Sequence, residues 1–423
     1  MMKPNATGKT RILAITILFL TALMTADETE RSISREDPME HEAYAAMISR
    51  SLVRVGNNYR IKKAIDGSKS GMDLTVAFIG GSITEGLNAS SPERCYAHLA
   101  YDEIRRRYGA GGGDNVAYLN AGMAGTPSTL GMIRYKRDVI DVLGRSPDIV
   151  FVEFAVNDGD DPTNGAAYES LVLDILQAES APAVVLLFSV FQSRWNLQDR
   201  LIPIGLRYGL PMISVKDAVV PELESEKISD EEFFSDIYHP TDFGHRLMAD
   251  CIANYLDAVD DALPSQSDAP IPESPVIGRQ FAGIRMIDAE GVPRGVTIAP
   301  GSFSDNDTAI GTFGRDSPLP TFPANWHKAA GPGAQDFVME LTCRNLVIVY
   351  KKSPDADAFG MADAFVDGEC IDSIDGAPGN GWNNPYCAVL IDDETAARHS
   401  VRISMDGDSR DKGFTIMAFG YTE

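Results

Sequence analysis

Cysteine, histidine and tryptophan are scarce in this 423-residue chain, at five, six and three residues. The cysteines, Cys95, Cys251, Cys343, Cys370 and Cys387, form no Cys-x-x-Cys pair, which leaves no support for a zinc ribbon or a dithiol redox motif. An odd count leaves at least one thiol unpaired, and buried free thiols are the expectation for most of them. Basic residues are also short: 37 Lys and Arg face 61 Asp and Glu, a net charge of −24. Nucleic acid demands a basic surface, as do anionic membranes, so neither is an expected partner. A neutral or cationic ligand fits this balance. Long apolar runs are missing too. The N-terminal run Ile12–Ala26 has fifteen residues, short for a spanning helix.

That run follows Lys3, Lys9 and Arg11 and precedes Asp27-Glu28. A basic lead and an apolar segment of this length read as a secretory signal peptide. Met24 spoils the small-residue pattern before Ala26, so an uncleaved anchor stands as the alternative. No Cys follows the run, which argues against a lipoprotein anchor. The expected location is secreted or extracytoplasmic, with residues 1–38 outside the fold.

Length suggests two domains, and 44% hydrophobic content is enough for ordinary cores. The organising stretch is Leu74-Thr-Val-Ala-Phe-Ile-Gly80-Gly81-Ser82-Ile83-Thr84-Glu85-Gly86. An apolar run closed by glycine reads as a buried strand of a parallel sheet. Ser82 is then left at the strand's carboxyl end, where open α/β sheets place their sites. It reads either as a nucleophile or as the cap of the next helix.

Residues 39–70 look like one or two helices. Helical patterns over Pro92–Tyr108, Thr129–Leu143, Ala166–Glu179, Leu197–Tyr208 and Thr241–Val259 alternate with strands at Val116–Ala121, Ile149–Val156, Val184–Phe191 and Met212–Val215. This alternation means βαβ units and a parallel sheet, so residues 39–262 form an α/β domain. Pro-rich 263–275 is a linker. Residues 276–423 carry short strand-like runs at Phe337–Cys343, Leu346–Tyr350, Ala362–Asp367, Tyr386–Ile391, Ser400–Ser404 and Thr415–Tyr421. These make an all-β domain, a sandwich or jelly-roll-like arrangement. It is expected to pack on the first domain.

A serine nucleophile needs a base, an orienting acid and oxyanion donors. His239 lies in Asp236-Ile-Tyr-His239-Pro240, before the last helix, and Asp236 can reach its Nδ1 through a turn. His98 and His245 fall within helices and read as structural. Asn120-Ala-Gly122 ends the second strand and Ala155-Val-Asn157-Asp158 the third. Either segment alone reads as a turn. Together they offer a backbone N–H at Gly122 and an amide donor at Asn157.

Ser82, Gly122, Asn157 and His239 resemble the four blocks of the SGNH (GDSL-type) hydrolases, over roughly residues 74–260. The motifs are Gly-Gly-Ser-Ile-Thr, Asn-Ala-Gly-Met-Ala-Gly-Thr, Phe-Ala-Val-Asn-Asp and Asp-Ile-Tyr-His-Pro. Gly81 stands where the family usually has an acid, and Ala155 where it has a glycine. The resemblance implies a flavodoxin-like three-layer α/β/α domain and ester hydrolysis through an acyl-enzyme. It assigns Ser82 as nucleophile, His239 as base and Asp236 as orienting acid. Ser82, Gly122 and Asn157 would form the oxyanion hole. It calls for no metal or organic cofactor.

An exported hydrolase of this type joined to a β-sandwich resembles bacterial esterases that deacetylate plant polysaccharides. The expected substrate is an acylated carbohydrate or another small ester. A lipid or thioester hydrolase, an acyltransferase and a glycan-binding protein on a decayed fold are the alternatives. In the β domain, Trp382 and Tyr386 either hold a sugar or fill the core or the domain interface.

Overall fold

The computed structural model describes residues 38–311 and 321–423, and the apolar run Ile12–Ala26 lies outside them. The chain begins with α1 (Pro38–Ser49), β1 (Leu52–Arg54) and α2 (Tyr59–Lys69). It continues through β2 (Leu74–Gly80), the short α3 (Ser82–Glu85), α4 (Tyr96–Tyr108), β3 (Val116–Gly122) and α5 (Ser128–Tyr135). Then come β4 (Ile149–Glu153), α6 (Ala166–Leu176), β5 (Ala183–Phe188), α7 (Gln198–Arg207), β6 (Met212–Ser214), α8 (Val215–Glu224), α9 (Asp230–Phe233) and α10 (Asp242–Asp261).

The first sheet has the order β1-β6-β5-β4-β2-β3. Strands β2 to β6 are parallel, as the alternation of elements requires. All seven residues of β2 are buried, which is why its sequence is one continuous apolar run. The edge strand β1 pairs antiparallel with β6 and corrects the all-helical reading of residues 39–70. Strands β4 and β5 stop three residues before the expected ends at Val156 and Phe191. After β4 the backbone turns at once: the N–H groups of Asn157 and Asp158 both donate to Phe154 O, at 3.1 and 3.0 Å. Helix α5 runs on into a π-turn over Lys136–Asp141. Helices α4 and α10 pack together. Cys95, just before α4, and Cys251, in α10, are buried free thiols. Burial pushes them up to about 11 and about 12.

The second sheet is built from β7 (Arg285–Ile287), β8 (Thr297–Ala299), β9 (Trp326–Lys328), β10 (Phe337–Lys352), β11 (Met361–Val366), β12 (Glu369–Asp375), β13 (Asn384–Met405) and β14 (Phe414–Thr422). Every ladder between them is antiparallel. Runs that read as separate strands are joined. Phe337–Cys343 and Leu346–Tyr350 are one strand, as are Tyr386–Ile391 and Ser400–Ser404. Register shifts between Cys343 and Asn345 and between Leu346 and Val347 bend β10 without ending it.

The period of two along these strands divides two cores. Leu346, Ile348 and Tyr350 of β10 join Ile416, Phe419 and Tyr421 of β14 in a core made of β-domain residues. Their neighbours Val347, Val349, Met417 and Ala418 point the other way, into a core shared with Ile133 and Tyr135 of α5, a register shift at Val349–Tyr350 letting the successive Met417 and Ala418 share that side. Successive strand residues face opposite sides of a sheet, so a strand covered on both faces is apolar throughout. Leu-Val-Ile-Val-Tyr at 346–350 is such a run.

The Pro-rich segment between the sheets is tied down. Arg60 pairs with Asp268 at 2.8 Å, and Arg207 Nε donates to Ser274 O at 3.0 Å. At its end, the buried carboxylate of Glu169 on α6 accepts the N–H groups of Val276 (2.7 Å), Ile277 (2.6 Å) and Gly278 (3.0 Å). It also accepts the Tyr208 hydroxyl at 2.6 Å. Removing an acceptor from buried donors costs about 1–3 kcal/mol for each one orphaned. Glu169→Ala is therefore expected to destabilise the chain by roughly 2–4 kcal/mol and to open residues 263–278 to proteolysis. Denaturant midpoints and a limited digest check this, and a loss below about 1 kcal/mol would contradict it.

Candidate active site

Strand β2 lies between β3 and β4, so the chain leaves it towards one neighbour and later returns to the other. Ligands bind at the carboxyl ends of strands at such a switch point. The register puts Gly80 opposite both Gly122 and Glu153. The turns after β2, β3 and β4 therefore emerge side by side, carrying Ser82, Gly122 and Asn157.

These turns pack too closely for side chains. A Cβ on Gly81 would collide with the Asn157 side chain, and one on Gly122 with the backbone of Thr84 and Glu85. Glycine at both positions lets Ser82 stand beside the Asn157 amide. Glu85 then ties the turns together, because its carboxylate accepts Ala124 N–H at 2.6 Å.

The base comes from the loop between α9 and α10. Asp236 Oδ1 accepts the N–H groups of Tyr238 (2.7 Å) and His239 (2.8 Å), folding Asp-Ile-Tyr-His into a tight turn. The turn sets His239 Nδ1 2.8 Å from Asp236 Oδ2. Nε2 is left 2.9 Å from Ser82 Oγ. Ser82 and His239 are nearly buried, while Asp236 stays partly open. Burial raises the Asp236 carboxyl, but hydrogen bonds from the His239 ring and from the Tyr238 and His239 N–H groups outweigh it and hold the group below its usual range. An ionised acid, an imidazole and a hydroxyl in one chain of hydrogen bonds can activate the hydroxyl as a nucleophile.

Sequence reading missed Asn88. Its backbone is left-handed at φ 66°, a conformation asparagine tolerates, and its Nδ2 donates to Asp236 Oδ2 at 2.9 Å. It braces the acid from the serine side of the site. Gly122 follows Ser82 across the strand ends, and its N–H donates to Asn120 Oδ1 at 2.8 Å. Asn120 Nδ2 donates to Thr84 O at 2.6 Å, which turns Oδ1 towards Gly122. His245 is buried and structural: its Nδ1 accepts Tyr96 N–H at 3.3 Å.

Of the two β-domain aromatics, Trp382 meets the first domain and Tyr386 packs on the β-domain core beside Tyr350. The Trp382 ring packs over Gly125, three residues past Gly122, where a Cβ would lie 2.8 Å from it. Tyr386 is half-buried under the Lys352 ammonium, 3.1 Å from its ring centre. Burial, followed by the charge of Asp160, pushes the Tyr386 hydroxyl up to about 12.

Residues 78–247 match the model of the GDSL-like lipase/acylhydrolase family. The α/β domain is a GDSL-like hydrolase domain. Two solved structures extend the likeness to the second sheet. A two-domain esterase active on acetylated mannans is 26% identical with a TM-score of 0.77, covering 89% of this chain and 99% of that one. A structure of such an esterase co-crystallised with mannopentaose is 26% identical with a TM-score of 0.76, covering 89% of this chain and 98% of that one. No curated protein matches the chain. Domain and relative together make the protein a carboxylic ester hydrolase. Among the described residues, no helix is long and apolar enough to cross a membrane.

Beneath the hydrolase site lies a buried polar layer that sequence gave no signal for. Glu153, fully buried at the end of β4, accepts the Ser189 hydroxyl and, at 3.3 Å, the Thr84 hydroxyl. Thr84 in turn accepts the Tyr96 hydroxyl at 2.8 Å. Burial pushes the Glu153 carboxyl up to about 7, against the hydrogen bonds from Ser189 and Thr84. The folded chain thus holds this proton more tightly than the unfolded chain, whose carboxyl titrates near 4.5. Stability is then lost as pH rises from about 4.5 to 7, by an amount on the order of 3 kcal/mol. Glu153→Gln removes this loss. Its melting temperature is expected to gain on that of the wild type between pH 5 and 8, and parallel melting curves across that range would contradict the assignment.

Proposed function

We propose that the protein is an exported serine esterase that removes O-acetyl groups from polysaccharides. The observation that carries this reading is the unbroken path from Asp236 through His239 to Ser82 Oγ, with contacts of 2.8 and 2.9 Å. Ser82 Oγ attacks the acyl carbonyl carbon as His239 Nε2 takes its proton. Asp236 holds the imidazole and stabilises its cation. The oxyanion is received by Ser82 N–H, Gly122 N–H and the Asn157 amide. The bond from acyl carbon to sugar oxygen then breaks, and His239 returns the proton to that oxygen. Water repeats the sequence on the acyl-enzyme and releases acetic acid.

The sugar half of the proposal draws on the relative active on acetylated mannans, which shares both domains. It also draws on the β domain, which brings Trp382 to the loop after β3. Tyr386, on the strand that follows Trp382, is offered as a second wall. The signal-like N-terminal run supports export.

Ser82→Ala is expected to lower kcat/KM by about 10³-fold or more, and Asp236→Asn to cost less than His239→Ala, because the acid orients while the histidine moves the proton. Acetate release from acetylated mannan and xylan should exceed release of long acyl chains from nitrophenyl esters. A folded Ser82→Ala protein with near wild-type turnover would sink the mechanism. Preference for long chains would sink the substrate class.

A further inference from the structure

Three of the exposed large apolar side chains of the hydrolase domain, Trp195 (40% exposed), Ile237 (57%) and Tyr238 (49%), come from two loops that meet. Phe191 joins them: its ring stacks on Trp195, with centroids 6.0 Å apart and planes 23° apart. It meets Tyr238 edge-on at 5.0 Å. Tyr238 in turn stands 6.1 Å from the ring of His239. Phe191, Gln192, Ser193, Asp230, Ile237 and Tyr238 line an open depression of about 530 Å³.

The loop that presents Trp195 is firmly held. Gln192 N–H donates to Ile237 O at 3.2 Å, tying it to the loop of the acid and base. Leu197 N–H donates to Ala155 O at 2.8 Å, tying it to the turn that carries Asn157. Arg194, left-handed at φ 66°, pairs with Asp230 at 2.7 Å, and Asn196 Nδ2 donates to Ser189 O at 2.8 Å. The Trp195 ring itself packs over Gly159, two residues past Asn157. A fixed, solvent-facing aromatic row beside a catalytic imidazole is not explained by core packing, since exposed apolar surface of this kind marks binding sites. None of these residues has a role in the acyl chemistry.

We infer that Trp195, Phe191 and Tyr238 form a platform for a pyranose ring of the polysaccharide next to the acylated one. A pyranose has an apolar C–H face, which an aromatic ring covers. Its rim of hydroxyls faces the polar groups of Gln192 and Ser193. The platform stands at the end of β5, while Trp382 stands at the end of β3. In the order β5-β4-β2-β3 the serine and asparagine turns lie between them. A glycan crossing the serine would therefore meet an aromatic on either side. This inference rests on the carbohydrate-esterase reading above and names the part of the hydrolase domain that holds the sugar.

The test compares full-length wild type, Trp195→Ala and Trp195→Tyr on acetylated mannan and on 4-nitrophenyl acetate. The readout is the ratio of kcat/KM on the polysaccharide to that on the small ester. For Trp195→Ala the ratio is expected to fall at least tenfold, carried by KM, and Trp195→Tyr, which keeps a ring, should recover most of it. A ratio within twofold of wild type in both variants overturns the platform and leaves the esterase reading standing. A wild type that releases no acetate from either acetylated mannan or acetylated xylan overturns the esterase reading and the platform with it.

Discussion

At the end of β2 the backbone passes so close to Thr84, Glu153 and Asn157 that no side chain fits on Gly80 or Gly81. Everything at the site depends on that approach. Three neighbouring strands must end in register for Ser82, the Gly122 turn and Asn157 to meet, and a bulky residue at the turn would force them apart. The bonds that hold the approach are short and local: Met123 N–H to Gly80 O at 3.0 Å, and Ala124 N–H to Glu85 at 2.6 Å. The base arrives from a loop 157 residues further on, already folded by its own aspartate. Hydrogen bonds from serine to histidine, from Asn88 to Asp236 and Ser235, and from Gln192 to Ile237 then close the site.

Under this surface sits a layer of buried polar groups that fixes it from below. Arg134, fully buried on α5, donates to Gly80 O at 3.2 Å and pairs with Asp138 at 3.2 Å. Asp158, beside Asn157, accepts Ser128 N–H at 2.7 Å and so caps α5. Burial and the nearby Asp161 charge raise the Asp158 carboxyl well above its usual range. Buried polar groups are costly unless satisfied, and when satisfied they admit few alternative arrangements. The same economy appears between the halves of the chain. There Glu169 collects backbone donors from the segment that enters the second sheet, and the outer faces of β10 and β14 complete the core over α5.

The sequence by itself determined what is local. A buried parallel strand is apolar on both faces, so β2, β4 and β5 could be read as continuous runs. The ends of β2 and β4 were marked by Gly80-Gly81 and by Asn157, residues that suit the turns there. Asp236 and His239 were legible as a pair because three residues of turn suffice to join them. Tertiary structure decided the rest. Three residues at 52–54 carry too little signal to announce an edge strand, and β1 exists because β6 offers an unpaired edge. Cys343 and Asn345 look like a strand end, yet flanking strands hold both sides of that kink in one ladder. Asn120, Glu153 and Glu169 are ordinary polar residues in sequence. They acquire their partners only when distant backbone closes over them. Trp195 and Tyr238 are far apart in the chain, and one row of rings forms where the two loops meet, joined by the hydrogen bond from Gln192 to Ile237. Contacts within a few residues are written into the order of the chain, whereas contacts across it depend on how the strands stack.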